Sequence, residues 1–320
     1  MRAIIVKQPG PAEVMKLHGG EDPGPPPGQI SVRVLASGVN FIDVYHRNGQ
    51  YPLPTPFTPG LEGAGTVAAV GEGVDEFQPG DQVSWSNVPG SYADLVIGEA
   101  GKFVSVPDRV APETAAAVML QGLTAHYLCN DVYQVGEGDT VLIHAAAGGV
   151  GLLLTQMVKL KGGRVIGTAG SDSKADLARS NGCDEVIGYQ DFTSRVRELT
   201  DEEGVSAVFD GVGRATFDGS LDSLRPRGTM ALFGQASGAV PPVDPQRLNS
   251  AGSVCLWRPN LADFISTAEE YRRRAGELFD MISHNDLVVR VNHRYSLKEA
   301  AQAHKDLEQR KTTGKAILIP

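Results

Sequence analysis

The residues with the clearest chemical purpose form a glycine-rich turn. Thr140-Val141-Leu142-Ile143-His144 reads as a buried strand, Ala145-Ala146-Ala147-Gly148-Gly149-Val150-Gly151 as a tight turn, and residues 152–161 as a helix. A pyrophosphate on a helix N-terminus needs backbone N–H groups within reach and no Cβ in the way, and the positive end of the helix dipole favours the anion. Gly148 and Gly151 occupy the second and third glycine positions of the dinucleotide fingerprint, with Ala146 in the first. The backbone from Ala147 through Gly148, Gly149, Val150 and Gly151 is therefore expected at the phosphates. The competing reading is a strand-to-helix turn that binds nothing.

The dinucleotide type is read about 20 residues on, at the end of the second strand, where an Asp or Glu would hold a ribose 2′-hydroxyl. The chain there is Thr168-Ala169-Gly170-Ser171-Asp172-Ser173-Lys174, with no acid at the strand end itself. Gly170 and Ser171 leave room and a hydroxyl, and Lys174 can supply positive charge to a 2′-phosphate, which favours NADPH. The alternative assigns Asp172 to the ribose of NADH, although Asp172 also suits the N-cap of the next helix.

Two rhythms of sequence must position these groups. Residues 1–120 read as short strands with turn chemistry between them, at 29–36, 65–70, 81–85 and 92–97. From residue 121 apolar strands alternate with helix-length segments, at 140–145, 164–169, 185–189, 207–211, 229–233 and 253–257, the pattern of a doubly wound parallel sheet. A helical stretch at 261–283, a helix at 297–309 and a last strand at 315–319 are expected to pack back on the first domain. The domains expected are thus 1–120 completed by 265–320, and 121–264, in a chain too long for one growing core.

The 320 residues carry a formal net charge of −9, which argues against a broad nucleic-acid or anionic-membrane surface. No run of 18 apolar residues and no basic-then-apolar leader is seen, so a cytoplasmic protein without membrane spans is expected. Cys129, Cys183 and Cys255 are odd in number and widely spaced, and read as buried thiols in a reducing compartment. His46, His126 and His144 read as satisfied near-core residues rather than ligands.

The turn and its flanks, Gly138-Asp139, Leu142, Ala146 to Gly151, Gln156 and Lys159, resemble the signature of the quinone oxidoreductase and zeta-crystallin branch of the medium-chain dehydrogenases. Similar family motifs run from Gly38-Val39-Asn40-Phe41-Ile42-Asp43-Val44-Tyr45 through Gly60-Leu61-Glu62-Gly63-Ala64-Gly65 and Gln121-Gly122-Leu123-Thr124-Ala125 to Ile317-Leu318-Ile319-Pro320. The resemblance implies an α/β protein: a Rossmann doubly wound parallel sheet plus a β-rich GroES-like catalytic domain, with the site in the cleft between them and a homodimer joined through the Rossmann domains. It also implies nicotinamide contacts from Asn40, Phe41, Ile42, Asp43, Tyr45, Tyr127, Gly149 and Val150, with Phe233, Gly234, Gln235, Ser237, Leu256, Trp257 and Arg258 lining the same side. The 2′-phosphate would meet Ser171, Lys174, Tyr189 and Arg310.

The zinc-bearing alcohol dehydrogenases of that superfamily place Cys, His and Cys where this chain has Asn40, Leu61 and Gln121. These three cannot supply the strong donors of catalytic zinc, and residues 85–92 lack the cysteines of a structural zinc lobe. No metal is therefore expected. A quinone or other small conjugated carbonyl compound delocalises the charge left by hydride addition, so positioning and a few hydrogen-bond donors suffice. Asn40, Tyr45 and Tyr51 are the candidates for that work, and Tyr51 reads equally well as a packing tyrosine at a turn. The alternatives are reduction of activated carbon–carbon double bonds and a non-catalytic NADPH-binding structural or RNA-binding protein.

Overall fold

The computed structural model describes residues 1–320, which divide into two compact units, Met1–Leu123 with Ile265–Pro320 and Thr124–Phe264. The second unit holds a six-stranded, all-parallel sheet of Thr140–Ile143, Arg164–Thr168, Glu185–Ile187, Val205–Asp210, Leu224–Leu232 and Cys255–Trp257. In chain order these strands lie 3-2-1-4-5-6, the dinucleotide-binding arrangement whose ligands sit beyond the strands' carboxyl ends. The inner strands read as unbroken apolar runs because helices cover both of their faces. Val141, Leu142, Ile143, Ala207, Val208 and Phe209 are fully buried. Leu142, Ile166, Val208, Met230 and Phe217 belong to one core.

The first unit is built on a seven-stranded sheet. Its longest strand, Gln29–Val39, pairs antiparallel with Gly63–Val70, Leu95–Glu99 and Lys315–Ile319. Ile30, Val32 and Val34 alternate inward against Val67, Val83, Trp85 and Phe103. The C-terminal strand enters this sheet with Ala316 opposite Val39. That register sets Lys315 beside Asn40, across 275 positions of chain.

Several elements differ from the sequence reading. Residues 1–120 hold more helix than expected: Phe41–Asn48 closes the long strand, and Pro112–Tyr127 is a 16-residue helix whose Ala115, Ala116 and Ala117 are buried. Its composition is apolar nearly all round, so it shows no amphipathic stripe to reveal it. The expected helix at 261–283 is two, Leu261–Phe264 and Ala268–Ser283, because Thr267 breaks the run and caps the second through the N–H of Glu270 at 3.2 Å. Cys129 and Cys183 are buried but Cys255 is exposed, since its strand has a neighbour on one edge only.

Candidate functional site

The turn of the second unit runs from Ile143 to the helix Gly149–Leu160, with Gly148 at the N-cap. A Cβ built on Gly151 would stand 2.5 Å from the Ala145 carbonyl oxygen and 2.8 Å from the Ala146 Cα, both rigid backbone. At Gly148 it would stand 3.1 Å from the same oxygen, a milder approach that asks for a few tenths of an ångström. The φ of Gly148, −80°, is one any residue adopts. Its lack of a side chain therefore serves space in front of the helix rather than conformation, whereas Gly151 is required by packing. The cradle a side chain would fill, at the first N–H groups of a 12-residue helix, fits a dinucleotide pyrophosphate.

At the end of the neighbouring strand Gly170, Ser171 and Asp172 are exposed and Lys174 half-buried. Ser171, not Asp172, is the N-cap of the helix Asp172–Ser180: its hydroxyl accepts the Lys174 N–H at 3.4 Å, and Asp172 is the first helical residue. Tyr189 closes over this region, its hydroxyl accepting the Ala145 N–H at 3.0 Å and its ring stacked on that of His144. Gly170, Ser171, Lys174 and Tyr189 are thus grouped beside the turn in one unit, while Arg310 belongs to the other.

The remaining residues expected at the nicotinamide have varied settings. The ring of Phe233 covers Gly211, and the Ser237 hydroxyl accepts the Ala215 N–H at 2.9 Å while donating to the Val212 carbonyl at 2.8 Å. Gly234 and Gln235 continue this loop, half-buried. Tyr127 stacks on Phe264 with rings 4.2 Å apart and 5° from parallel, and burial pushes its hydroxyl well above the usual range. Leu256 is half-buried, whereas Trp257, 44% exposed, and Arg258 lie open on the last strand and just beyond it.

In the first unit Asn40 anchors a buried polar cluster. Its amide Nδ2 donates to Glu62 Oε1 at 2.6 Å, and its Oδ1 accepts from Gln121 Nε2 at 3.1 Å and from the Lys315 ammonium at 2.9 Å. Lys315 and Glu62, 2% and 0% exposed, form an ion pair, and Glu62 also accepts the Leu120 N–H at 2.6 Å. Gly38 makes room for this carboxylate, since a Cβ there would overlap it. Asp43 takes the Asn40 N–H at 2.9 Å and the Tyr92 hydroxyl at 3.0 Å. Burial outweighs those donors and the positive charge of Lys315, and lifts the Asp43 carboxyl to about 7. Tyr92 in turn meets His304 Nε2 at 3.0 Å, and His304 Nδ1 faces Arg47 at 3.3 Å. Burial, and then the Arg47 charge, lower His304 to about 3.

Phe41 and Ile42 are half-buried on the first turn of the helix Phe41–Asn48, which carries Tyr45 further along. The rings of Tyr45 and Tyr51 meet edge to face at 5.2 Å, and the Tyr51 N–H donates to the Tyr45 carbonyl at 3.0 Å. Tyr45 and Tyr51 are thus in contact, and Asn40 is the N-cap of the helix that carries Tyr45. Glu62 and Lys315 were not singled out from sequence. A lone acid between glycines and a lone lysine heading an apolar strand were the available signals.

Residues 26–135 match the family model for the alcohol dehydrogenase GroES-like domain, and residues 149–279 that for zinc-binding dehydrogenases. The quinone oxidoreductase of Pseudomonas aeruginosa is 43% identical over 315 residues, covering 97% of each chain. The 2-haloacrylate reductase of a Burkholderia species is 39% identical over 332 residues, covering 100% of this chain and 99% of the relative. Among solved structures, a mycobacterial protein complexed with NADPH superposes with a TM-score of 0.98 at 50% identity, with all of both chains covered.

Proposed function

Since this chain belongs to the quinone oxidoreductase family, we propose that it reduces quinones with NADPH, without zinc, by hydride transfer in the cleft that the family resemblance implies. The observation that carries the reading is the open cradle at Gly148, beside a strand end bearing Gly170 and Ser171 in place of an acid. When bound, NADPH supplies the hydride. The N–H groups of Gly149, Val150 and Gly151 would hold its pyrophosphate, the Gly148 N–H being already given to the Ala145 carbonyl at 2.8 Å, and Ser171, Lys174 and Tyr189, with Arg310, would meet its 2′-phosphate.

On the substrate side Asn40, Tyr45 and Tyr51 orient the quinone and stabilise charge on its oxygen. The Asn40 amide is held by Glu62, Gln121 and Lys315, so its direction is set before substrate arrives. The Lys315 ammonium already supplies a cation at Asn40 Oδ1. A divalent metal there would face that charge as well as the Asn, Leu and Gln side chains, which supports zinc independence. The purified protein, given 1,4-benzoquinone or 9,10-phenanthrenequinone, should oxidise NADPH rapidly, NADH at least tenfold less efficiently, and equally in the presence of a chelator. No turnover of either quinone would reject the assignment.

The similarity to a 2-haloacrylate reductase favours a second reading, reduction of activated carbon–carbon double bonds by the same donor. Rates on 2-chloroacrylate, an alkenal and crotonyl-CoA beside the quinones separate the two. We also propose a homodimer through the edge strand Cys255–Trp257, whose free edge would otherwise stay open to pairing. Light scattering giving a monomer at micromolar concentration would reject it. No helix is long and apolar enough to cross a membrane, and a cytoplasmic location fits that and the thiol count.

A further inference from the structure

Beneath the phosphate turn lies a chain of buried polar groups whose hydrogens can be assigned one by one. Four donors converge on the Asp210 carboxylate: the N–H groups of Val212 and Gly213 at 2.7 and 2.9 Å on one oxygen, and the hydroxyls of Thr216 and Ser220 at 2.7 and 2.9 Å on the other. Ser220 has a single hydroxyl proton. With that proton on Asp210, its oxygen is left to accept, and His144 Nε2 stands 3.0 Å away as the donor. A neutral ring protonated on Nε2 presents a bare Nδ1, and burial of His144, 2% exposed, favours the neutral ring. The Thr168 hydroxyl, 3.0 Å from Nδ1, must then donate to it, and its remaining lone pair accepts the Ala145 N–H at 3.1 Å.

Ala145 is where this chain reaches the turn. Its φ of +51° is a left-handed conformation that a residue with a Cβ adopts at a cost. Its N–H is gripped by Thr168 and Tyr189 together, and its carbonyl oxygen is the atom nearest a Cβ built on either Gly148 or Gly151. The orientation of Ala145 therefore sets the floor on which both glycines pack.

We propose that Thr168, His144, Ser220 and Asp210 are positioning residues for the dinucleotide: by fixing Ala145 in its left-handed conformation, they hold the turn in the shape that exposes the helix N–H groups to the pyrophosphate. This rests on the turn being the nucleotide site. It accounts for a histidine in an otherwise apolar strand end, where an aliphatic residue would pack as well but could not pass hydrogen-bond direction from Asp210 to Thr168.

Titration of NADPH by its fluorescence, with Thr168→Val and Thr168→Ser, tests the link. Valine keeps the shape and removes the hydroxyl, so affinity should fall at least tenfold, while serine should restore it to within threefold of the parent. Long-range proton–nitrogen spectra of histidine-labelled protein should show His144 neutral and protonated on Nε2, with the Nδ1 resonance alone moving strongly in Thr168→Val. A purely structural role would lower the urea midpoint of Thr168→Val and leave the NADPH affinity of the folded variant unchanged. A His144 protonated on Nδ1, or Thr168→Val binding NADPH like the parent, overturns the proposal. If Thr168→Val does not fold, Ser220→Ala interrupts the same chain and must weaken NADPH, and a folded Ser220→Ala that binds NADPH like the parent overturns the proposal. Gly148→Val separates the two levels. If it binds NADPH normally, the turn is not the site and both readings fall. If it loses binding while Thr168→Val does not, the positioning role alone is wrong.

Discussion

The buried polar clusters of the two units treat charge in opposite ways. Around Asn40, full charges are sealed inside the protein: Lys315 against Glu62, with the Asp43 carboxyl and the Arg47 guanidinium close by. Around His144 a single carboxylate, Asp210, is surrounded by hydroxyl and backbone donors, and no lysine or arginine pairs with it. The first arrangement is costly to disturb because removing one ion leaves its partner buried and unpaired. The second is electrostatically quiet, and what it controls is the direction of hydrogen bonds. Substitutions in the first should register in stability and its pH dependence, and those at the turn in binding.

The largest effect is expected at the cradle. Gly148→Val should abolish NADPH binding in a fluorescence titration while circular dichroism stays that of the folded parent, because its Cβ meets only one backbone oxygen at 3.1 Å. Gly151→Val, whose Cβ meets backbone at 2.5 and 2.8 Å, should lose folding as well. If the two variants behave alike, the distinction between a space-giving and a packing glycine fails.

Next in size is Lys315→Met, which strands the Glu62 carboxylate and should cost about 3–5 kcal/mol in urea unfolding. The double variant Lys315→Met, Glu62→Gln should recover part of the loss. A single variant as stable as the parent would show that the pair carries no such penalty. Lys174→Ala is expected to weaken NADPH by about 1.5–3 kcal/mol through one charge-assisted contact while NADH binding is nearly unchanged. Equal loss for both cofactors would move the 2′-phosphate away from Lys174.

The smallest and most specific effect concerns Asp43. Its carboxyl is raised in the folded protein to about 7, so the folded state binds more protons than the unfolded chain between about pH 4 and 7. The stability it contributes is complete below the unfolded carboxylate range and is lost as pH rises through about 7. Asp43→Asn removes that loss, so the stability difference between variant and parent should shift in favour of asparagine from pH 5 to pH 8. A difference that stays constant across that range would show that Asp43 does not titrate there.

Much of the second unit was legible because its signals are contiguous. A buried strand, the glycines of the turn and the following helix lie within 21 residues, and Gly170 and Ser171 follow at the next strand end. The exposure of Cys255 was not legible, since whether a short apolar strand is central or at an edge depends on pairing. The long helix Pro112–Tyr127 was hidden by being apolar on all sides, the Ser171 cap by competition from Asp172 at the next position.

What the amino-acid order determined by itself is the local pattern, a strand, a glycine turn and a helix in that order and a second strand end without an acid, whereas the reading of Asn40, Leu61 and Gln121 as positions lacking zinc ligands came from the family resemblance. Only the tertiary structure decided that Lys315 completes the Asn40 cluster and that hydrogen bonds link Asp210 to the turn through Ser220, His144 and Thr168. The physical reason is distance along the chain. Lys315 reaches Asn40 through antiparallel pairing of two strands at opposite ends of the sequence, and the His144 chain forms where the ends of three parallel strands meet, so neither leaves a periodic trace in the residues that make it.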